Sequence, residues 1–171
     1  MQSHLNVETE RLNLLPVSDK YKNDILREFT AQITRYLPFT PKGNEKEVQD
    51  FLDKSSQGLI DGSDIVFVST EKSSKAFLGC CGIHHISAES MTLGLWLKAD
   101  IHGQGFGTEI IRGLINFIEV NFKPKYLIYP VEKDNIASRR IAEKLGFTMF
   151  KKYTQIKDGH TVLHMIEYRK H

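Results

Sequence analysis

"GLWLKADIHGQGFGTEII", residues 94–111, decides how this chain is read. Its start (Leu95, Trp96, Leu97) is apolar and strand-like, its end (Thr108, Glu109, Ile110, Ile111) opens a helical pattern, and Gly103, Gly105 and Gly107 stand between. Glycine enters left-handed backbone without a Cβ clash and leaves its N–H uncovered. Uncovered N–H groups at a helix start attract phosphate, by hydrogen bonding and by the helix dipole. The stretch therefore predicts strand, tight turn, helix, with an anion cradle at the turn.

Downstream, "TEIIRGLINFIEVNF" (108–122) places Ile110, Ile111, Leu114, Ile115, Ile118 and Phe122 on one helical face, with Glu109 in the first turn and Pro124 past the end. "KYLIYPV" (125–131) reads as a strand and "NIASRRIAEKLGF" (135–147) as a helix with Ala137, Ile141 and Leu145 on one face. Gly146 stands at its stop and Phe147 packs back, a left-handed cap pattern. "FTMFKKYTQIKDG" and "HTVLHMIEYRK" close as a hairpin around Asp158-Gly159. Upstream, "DIVFVST" (64–70), "AFLGCCGIHHI" (76–86) and "MTLGLWL" (91–97) form a three-strand meander. "RLNLLPV" (11–17) is a first strand ending at Pro16. A helix is expected over Asp19–Tyr36, where Tyr21, Ile25, Leu26, Phe29 and Ile33 recur at helical spacing. "YLPFTPKGN" (36–44) breaks it, and a second helix starts after Asn44 as N-cap. The order implies an α+β domain spanning 1–171: a mixed, mostly antiparallel sheet with one strand–helix–strand crossover.

Composition limits the function classes. With 171 residues, 40% apolar and 26% charged, the chain is long enough to bury a core and is not disordered as a whole. Its 23 basic and 21 acidic residues leave a net charge of +2, too balanced to argue for nucleic acid. Cys80 and Cys81 are adjacent in an apolar run, without metal-ligand spacing, so no metal site is expected and a reducing compartment fits. "MQSHLNVETERLNLL" holds no signal-peptide run, and no segment approaches the roughly 18 apolar residues that span a bilayer. A cytoplasmic protein without membrane partners is the expectation.

Which phosphate the cradle takes is decided by context. A dinucleotide loop needs glycine where Thr108 stands, and it follows the first strand of a βαβ unit rather than a meander. A Walker loop needs Gly-Lys-Ser/Thr, which is absent. The second element is "DNIASRRIAEKLGF", which sets Asn135 and Ser138 at a neighbouring helix start. Two helix starts opening at one sheet end make a cleft with donors on both sides.

These residues resemble the GNAT superfamily of N-acetyltransferases, in its RimJ/RimL-like branch. "TERLNL" (9–14) is similar to that branch's first strand, "GLWLKADIHGQGFGTEII" to its acetyl-CoA loop and "DNIASRRIAEKLGF" to its Asn-x-x-Ser…Gly-Phe segment. The likeness runs over essentially the whole chain and implies a central sheet of about seven strands, splayed in the middle and flanked by helices. It implies acetyl-CoA as cofactor, its pyrophosphate held at His102, Gly103, Gln104, Gly105, Phe106, Gly107 and Thr108. The family loop begins with Arg or Gln where this chain has His102, so the fixed charge of the arginine form is exchanged for an imidazole. The pantetheine arm is implied to lie between the strands "LGLWL" and "KYLIYPV", against main chain of Trp96, Leu97 and Lys98. A backbone N–H near Leu97 would polarise the thioester carbonyl, and Asn135 would steer the pantetheine amide or cap its helix.

Transfer needs a neutral amine and a proton for the departing thiolate. The family's frequent tyrosine acid is replaced by Ala142, and the resemblance points instead to Ser138. The family's strand glutamate is replaced by Thr92, leaving His84, His85, Glu89 and Glu132 as candidate bases. An α-amine, with a pKa of about 8, has less need of a base than lysine at about 10.4. That and the branch imply a peptide or protein N-terminus as acceptor, entering past "TRYLPFTPKGNE" (34–45), where Tyr36 and Phe39 could contact it. Two alternatives stay open: a small-amine acetyltransferase for a polyamine, amino acid or antibiotic, and a coenzyme-A-binding module without catalysis. A homodimer is also left open, with the C-terminal hairpin as its edge.

Overall fold

The computed structural model describes residues 5–171; the start of the leader-peptide reading, residues 1–4, lies outside them. Among the described residues, eight strands form one sheet in the order β1-β2-β3-β4-β5-β6-β8-β7. A two-residue β1 (Val7–Glu8) hairpins onto β2 (Leu12–Pro16), which adds one strand to the expected count. β3 (Ile65–Glu71), β4 (Phe77–His84) and β5 (Ser90–Leu97) make the antiparallel meander. β5 pairs in parallel with β6 (Tyr126–Glu132), the two joined by the crossover through α3 (Phe106–Asn121). After α4 (Ile136–Lys144), β7 (Thr148–Lys157) and β8 (Thr161–Lys170) close the sheet, turning at Asp158 and Gly159, both left-handed.

The two faces bury different helices. α3 and α4 cover one face, where Leu12, Leu14, Phe67, Cys81, Leu93, Tyr129 and Val131 meet Ile110, Ile111, Leu114 and Ile118. Each of those four α3 side chains is at most 1% exposed, worth about 1.5–3 kcal/mol apiece in transfer free energy. On the other face, Val68, Cys80 and Trp96 meet α1 (Lys22–Glu28) and α2 (Glu45–Asp61). Asn44 caps α2 by accepting the Glu47 N–H at 2.9 Å. Cys80 and Cys81 thus alternate between the two cores, and burial pushes both thiols up, away from reactivity.

The helix expected over 19–36 is broken. A single 3₁₀ turn at Asp19–Tyr21 leads into α1, which stops at Glu28, and turns follow to Tyr36. Phe29 leaves helical geometry (φ −83°, ψ 78°), and its ring lies 4.8 Å from Trp96 and 5.9 Å from Phe39. Thr30 bonds forward to the Ile33 N–H and Thr34 back to the Thr30 carbonyl, so local side chains hold the turn that replaces the helix. Aromatic packing onto the sheet face at Trp96 outweighs a helical preference worth only tenths of a kcal/mol per residue.

Candidate active site

β5 and β6 pair only at Ser90–Tyr126, Met91–Leu127 and Thr92–Ile128. Beyond Leu93 and Tyr129 they part, β5 staying on β4 as far as Leu97–Gly79 and β6 on β8 as far as Glu132–Met165. A Cβ built on Gly79 would run into the Trp96 carbonyl, so glycine is needed where β4 and β5 approach at the open end. In this register Lys98 donates its N–H to the Leu78 carbonyl at 2.8 Å. Antiparallel pairs alternate between bonded and non-bonded, so the Leu97–Gly79 pair is non-bonded and Leu97 turns its N–H and C=O into the gap. The Trp96 and Lys98 amides, both expected to contact pantetheine, are therefore committed to β4, while the Leu97 N–H faces the gap.

At the open end sits the glycine turn. Gly103 and Gly105 have φ of 80° and 81°, and Gly105 is the N-cap of α3. Within the described chain, the N–H groups of Gly103, Gln104, Gly105, Phe106, Gly107 and Thr108 donate to no backbone carbonyl. Convergent amides at the positive end of a sixteen-residue helix fit a pyrophosphate without further devices. His102 does not join them: its Nε2 donates to the Leu97 carbonyl at 2.8 Å, stapling the turn to the end of β5. With its ring nitrogen engaged by the Leu97 carbonyl, His102→Ala is expected to weaken coenzyme A binding by no more than about threefold, read by titration calorimetry; a tenfold loss would give the imidazole a direct phosphate role.

A clamp from the turn between β1 and β2, missed in the sequence reading, fixes the glycine turn. Glu109 accepts from Thr9 Oγ1 at 2.6 Å, from the Arg11 N–H at 2.7 Å and from Arg11 Nε at 2.7 Å. Arg11 also donates to the Gln104 carbonyl at 3.0 Å and lies 4.1 Å over the Phe106 ring. "TER" and the first turn of α3 looked unrelated because nothing local couples residues 98 apart in sequence.

α4 opens beside the same gap. Asn135 caps it, its Oδ1 accepting the Ser138 N–H at 3.3 Å, so helix capping is the role its side-chain oxygen fills. Ser138 is half-buried and neighbours the phenol of Tyr129, which burial pushes up to about 12 against an opposing pull from the Ser138 hydroxyl. Tyr129, the first β6 residue past the parting, thus keeps its proton beside Ser138; the apolar look of "KYLIYPV" concealed it. Ala142, in the usual place of a tyrosine acid, is fully buried in the core.

Facing α1 and α2, Trp96 stacks on Phe29 and, through it, Phe39. Lys157 and Asp158 hold the 34–40 segment against the β7–β8 turn. Lys157 Nζ donates to the Thr34 and Arg35 carbonyls at 2.7 and 3.2 Å. Asp158 accepts the Thr40 N–H at 2.9 Å and its hydroxyl at 2.6 Å. Phe39 is exposed and Tyr36 half-buried with Arg35 over its ring, so both border this face. The structure does not bring His84 and His85 to the gap. His84 pairs with Thr92 at the closed end, its Nδ1 2.9 Å from Asp64, and His85 is exposed just beyond. Glu89 precedes β5 at that same end and pairs with Lys125 at 2.7 Å. Among the described residues, no three His, Cys, Asp or Glu side chains converge as a metal would require, and no helix is long and apolar enough to cross a membrane.

The family described as "Acetyltransferase (GNAT) domain" matches residues 11–148. An uncharacterized N-acetyltransferase p20 of Bacillus licheniformis is 24% identical over 143 residues, covering 81% of this chain and 80% of that one. Among solved structures, a Salmonella typhimurium acetyltransferase that modifies the N-terminal serine of the ribosomal protein L7/L12 superposes with a TM-score of 0.81, at 15% identity over 95% of both chains. RimL, a ribosomal L7/L12 α-N-protein acetyltransferase in complex with coenzyme A, superposes with a TM-score of 0.79, at 14% identity over 96% of this chain and 97% of that one. At these identities the likeness to the solved structures is one of fold.

Proposed function

The chain belongs to the GNAT acetyltransferase family, and on that premise we propose that it transfers the acetyl group of acetyl-CoA to the α-amine of a protein or peptide N-terminus. The observation that carries this reading is the parting of β5 from β6, with the Leu97 N–H turned into the gap and two helix starts at its mouth. A pantetheine arm is an extended chain with amides, and it fits where a strand partner is missing. The amides of Gly103–Thr108 would take the pyrophosphate. The acceptor class is supported by the RimL-type relatives and by chemistry, since an α-amine near pKa 8 is partly neutral at pH 7.

The bound acetyl donor supplies a thioester carbonyl already activated for attack. Leu97 donates its N–H to the carbonyl oxygen as charge builds there; a donor of this kind is worth roughly 3 kcal/mol. Ser138 gives its Oγ proton to the departing sulfur and recovers one from solvent, while Tyr129 beside it stays protonated. Trp96, Phe29 and Phe39 form an apolar wall for the incoming chain.

Acetyl transfer followed by mass spectrometry, with acetyl-CoA against N-terminal peptides and small amines, tests the reading. A mass gain confined to peptide α-amines is expected; modification of polyamines or free amino acids alone would replace it with the small-amine function. Ser138→Ala should lower kcat by about 10²-fold, the low end for a general acid because a thiolate leaves readily, with little change in KM. An unchanged kcat would remove Ser138 from the chemistry.

A further inference from the structure

Glu132 ends β6 and is 5% exposed. Leu127, Tyr129 and Val131 turn into the α3–α4 core, so strand alternation sends Ile128, Pro130 and Glu132 to the opposite face. That is the face of Trp96, reached past Phe39. Glu132 lies in one cross-strand row with Met165 of β8 and Tyr153 of β7, at the edge where β6 borders the gap. One of its carboxylate oxygens accepts the Asp134 N–H at 2.6 Å.

Among the described residues no Lys, Arg or His forms an ion pair with Glu132. The other buried glutamate differs: Glu167 has Arg169 at 2.6 Å and Lys151 at 3.5 Å. A carboxylate largely withdrawn from water with no cation beside it is costly, and one kept so, with its second oxygen still reaching solvent at the gap edge, suits a ligand that supplies the opposite charge. The Asp134 contact serves the turn but occupies only one oxygen.

We propose that Glu132 receives the ammonium of the acceptor and takes the proton it must lose before attack. The assignment rests on the acetyl-transfer reading above. The ammonium gives one proton to Glu132, which passes it to solvent. The freed nitrogen lone pair forms the C–N bond, the C–S bond breaks with its electron pair going to sulfur, and the nitrogen sheds its second proton. Sulfur gains one proton through Ser138, leaving amide, free thiol and one proton in solution. The amine approaches from the Trp96 face while Ser138 lies on the α4 side, so proton acceptor and proton donor flank the gap from opposite sides.

Glu132→Gln separates this role from a turn-forming one, because glutamine still offers an oxygen to the Asp134 N–H and removes only the basicity. With whichever amine the wild type acetylates, kcat/KM for that amine should fall about 10²-fold. The Kd of acetyl-CoA should stay within about twofold and Tm within about 2 °C. Turnover within about threefold of wild type overturns the assignment and leaves the acetyltransferase reading standing. Loss of acetyl-CoA affinity or of folding together with turnover also overturns it, in favour of a structural glutamate. If the wild type modifies only small amines, the α-amine reading fails while the Glu132→Gln contrast still decides the role of this carboxylate.

Discussion

Gly105→Val is expected to weaken coenzyme A binding by roughly 10³-fold while leaving a folded protein. Gly105 caps α3 at φ 81°, a conformation that costs a β-branched residue about 1–3 kcal/mol, so valine drives the backbone toward negative φ. That rotation re-aims the neighbouring amides, which act as one cradle. Hydrogen bonds to a charged group contribute about 1.5–3 kcal/mol each, so misaligning two of them accounts for the predicted loss. The space beside Gly105 is not the obstacle, since an added Cβ meets only the tip of Arg11 at 3.5 Å. Gly105→Ala should therefore show a milder form of the same defect. Calorimetric titration reads both, and full affinity in the valine variant would mean that the turn does not hold the pyrophosphate.

Glu109→Ala should lower stability by about 3 kcal/mol, a drop in Tm of roughly 6–12 °C for a chain of this size. The substitution strands the Thr9 hydroxyl and the Arg11 amide and guanidinium, which now share one carboxylate. Glu109 is 12% exposed and Arg11 41%, so solvent screens the guanidinium part and the estimate stays well below that for a fully buried pair. Burial alone would raise the Glu109 carboxyl. The bonds from Thr9 and Arg11 outweigh it and hold the pKa below the usual 4.5. A carboxyl depressed in the folded state contributes fully above its unfolded pKa, and that contribution fades as pH falls through the folded value. The Tm gap between wild type and variant should thus be complete at neutral pH and narrow in acid. A gap constant from pH 7 to pH 3 would show that packing, not charge, makes the clamp. Because Arg11 also holds the Gln104 carbonyl, the variant should bind coenzyme A more weakly as well.

Much of the fold is legible in local patterns. The α3 stripe, the Asn44 cap, the left-handed stop at Gly146 and the Asp158-Gly159 turn each follow from residues within one or two turns of chain. The same holds for the glycine turn, because glycine takes φ near 80° without a Cβ clash. Helical period, strand alternation and turn chemistry are short-range properties, and the sequence by itself determined the element order and the family likeness from them. It also placed Asn135 and Ser138 at one helix start, where local capping geometry keeps them.

The rest depended on which chain segments meet. The stop of α1 at Phe29 follows from an aromatic contact with Trp96, far along the chain on the same sheet face. His102 turns to Leu97 because the parting of the strands leaves that carbonyl without a strand partner. The clamp joins residues 98 and more apart, and the Asp158–Thr40 tie 118 apart. Of the four candidate bases, only Glu132 lies at the open end, and no spacing in the sequence tells the open end from the closed one. Local preferences amount to tenths of a kcal/mol per residue, while the burial and charge-assisted bonds made between distant segments amount to several kcal/mol per site. For that reason the sequence determined what the elements are, and tertiary contacts alone decided which side chains face the gap.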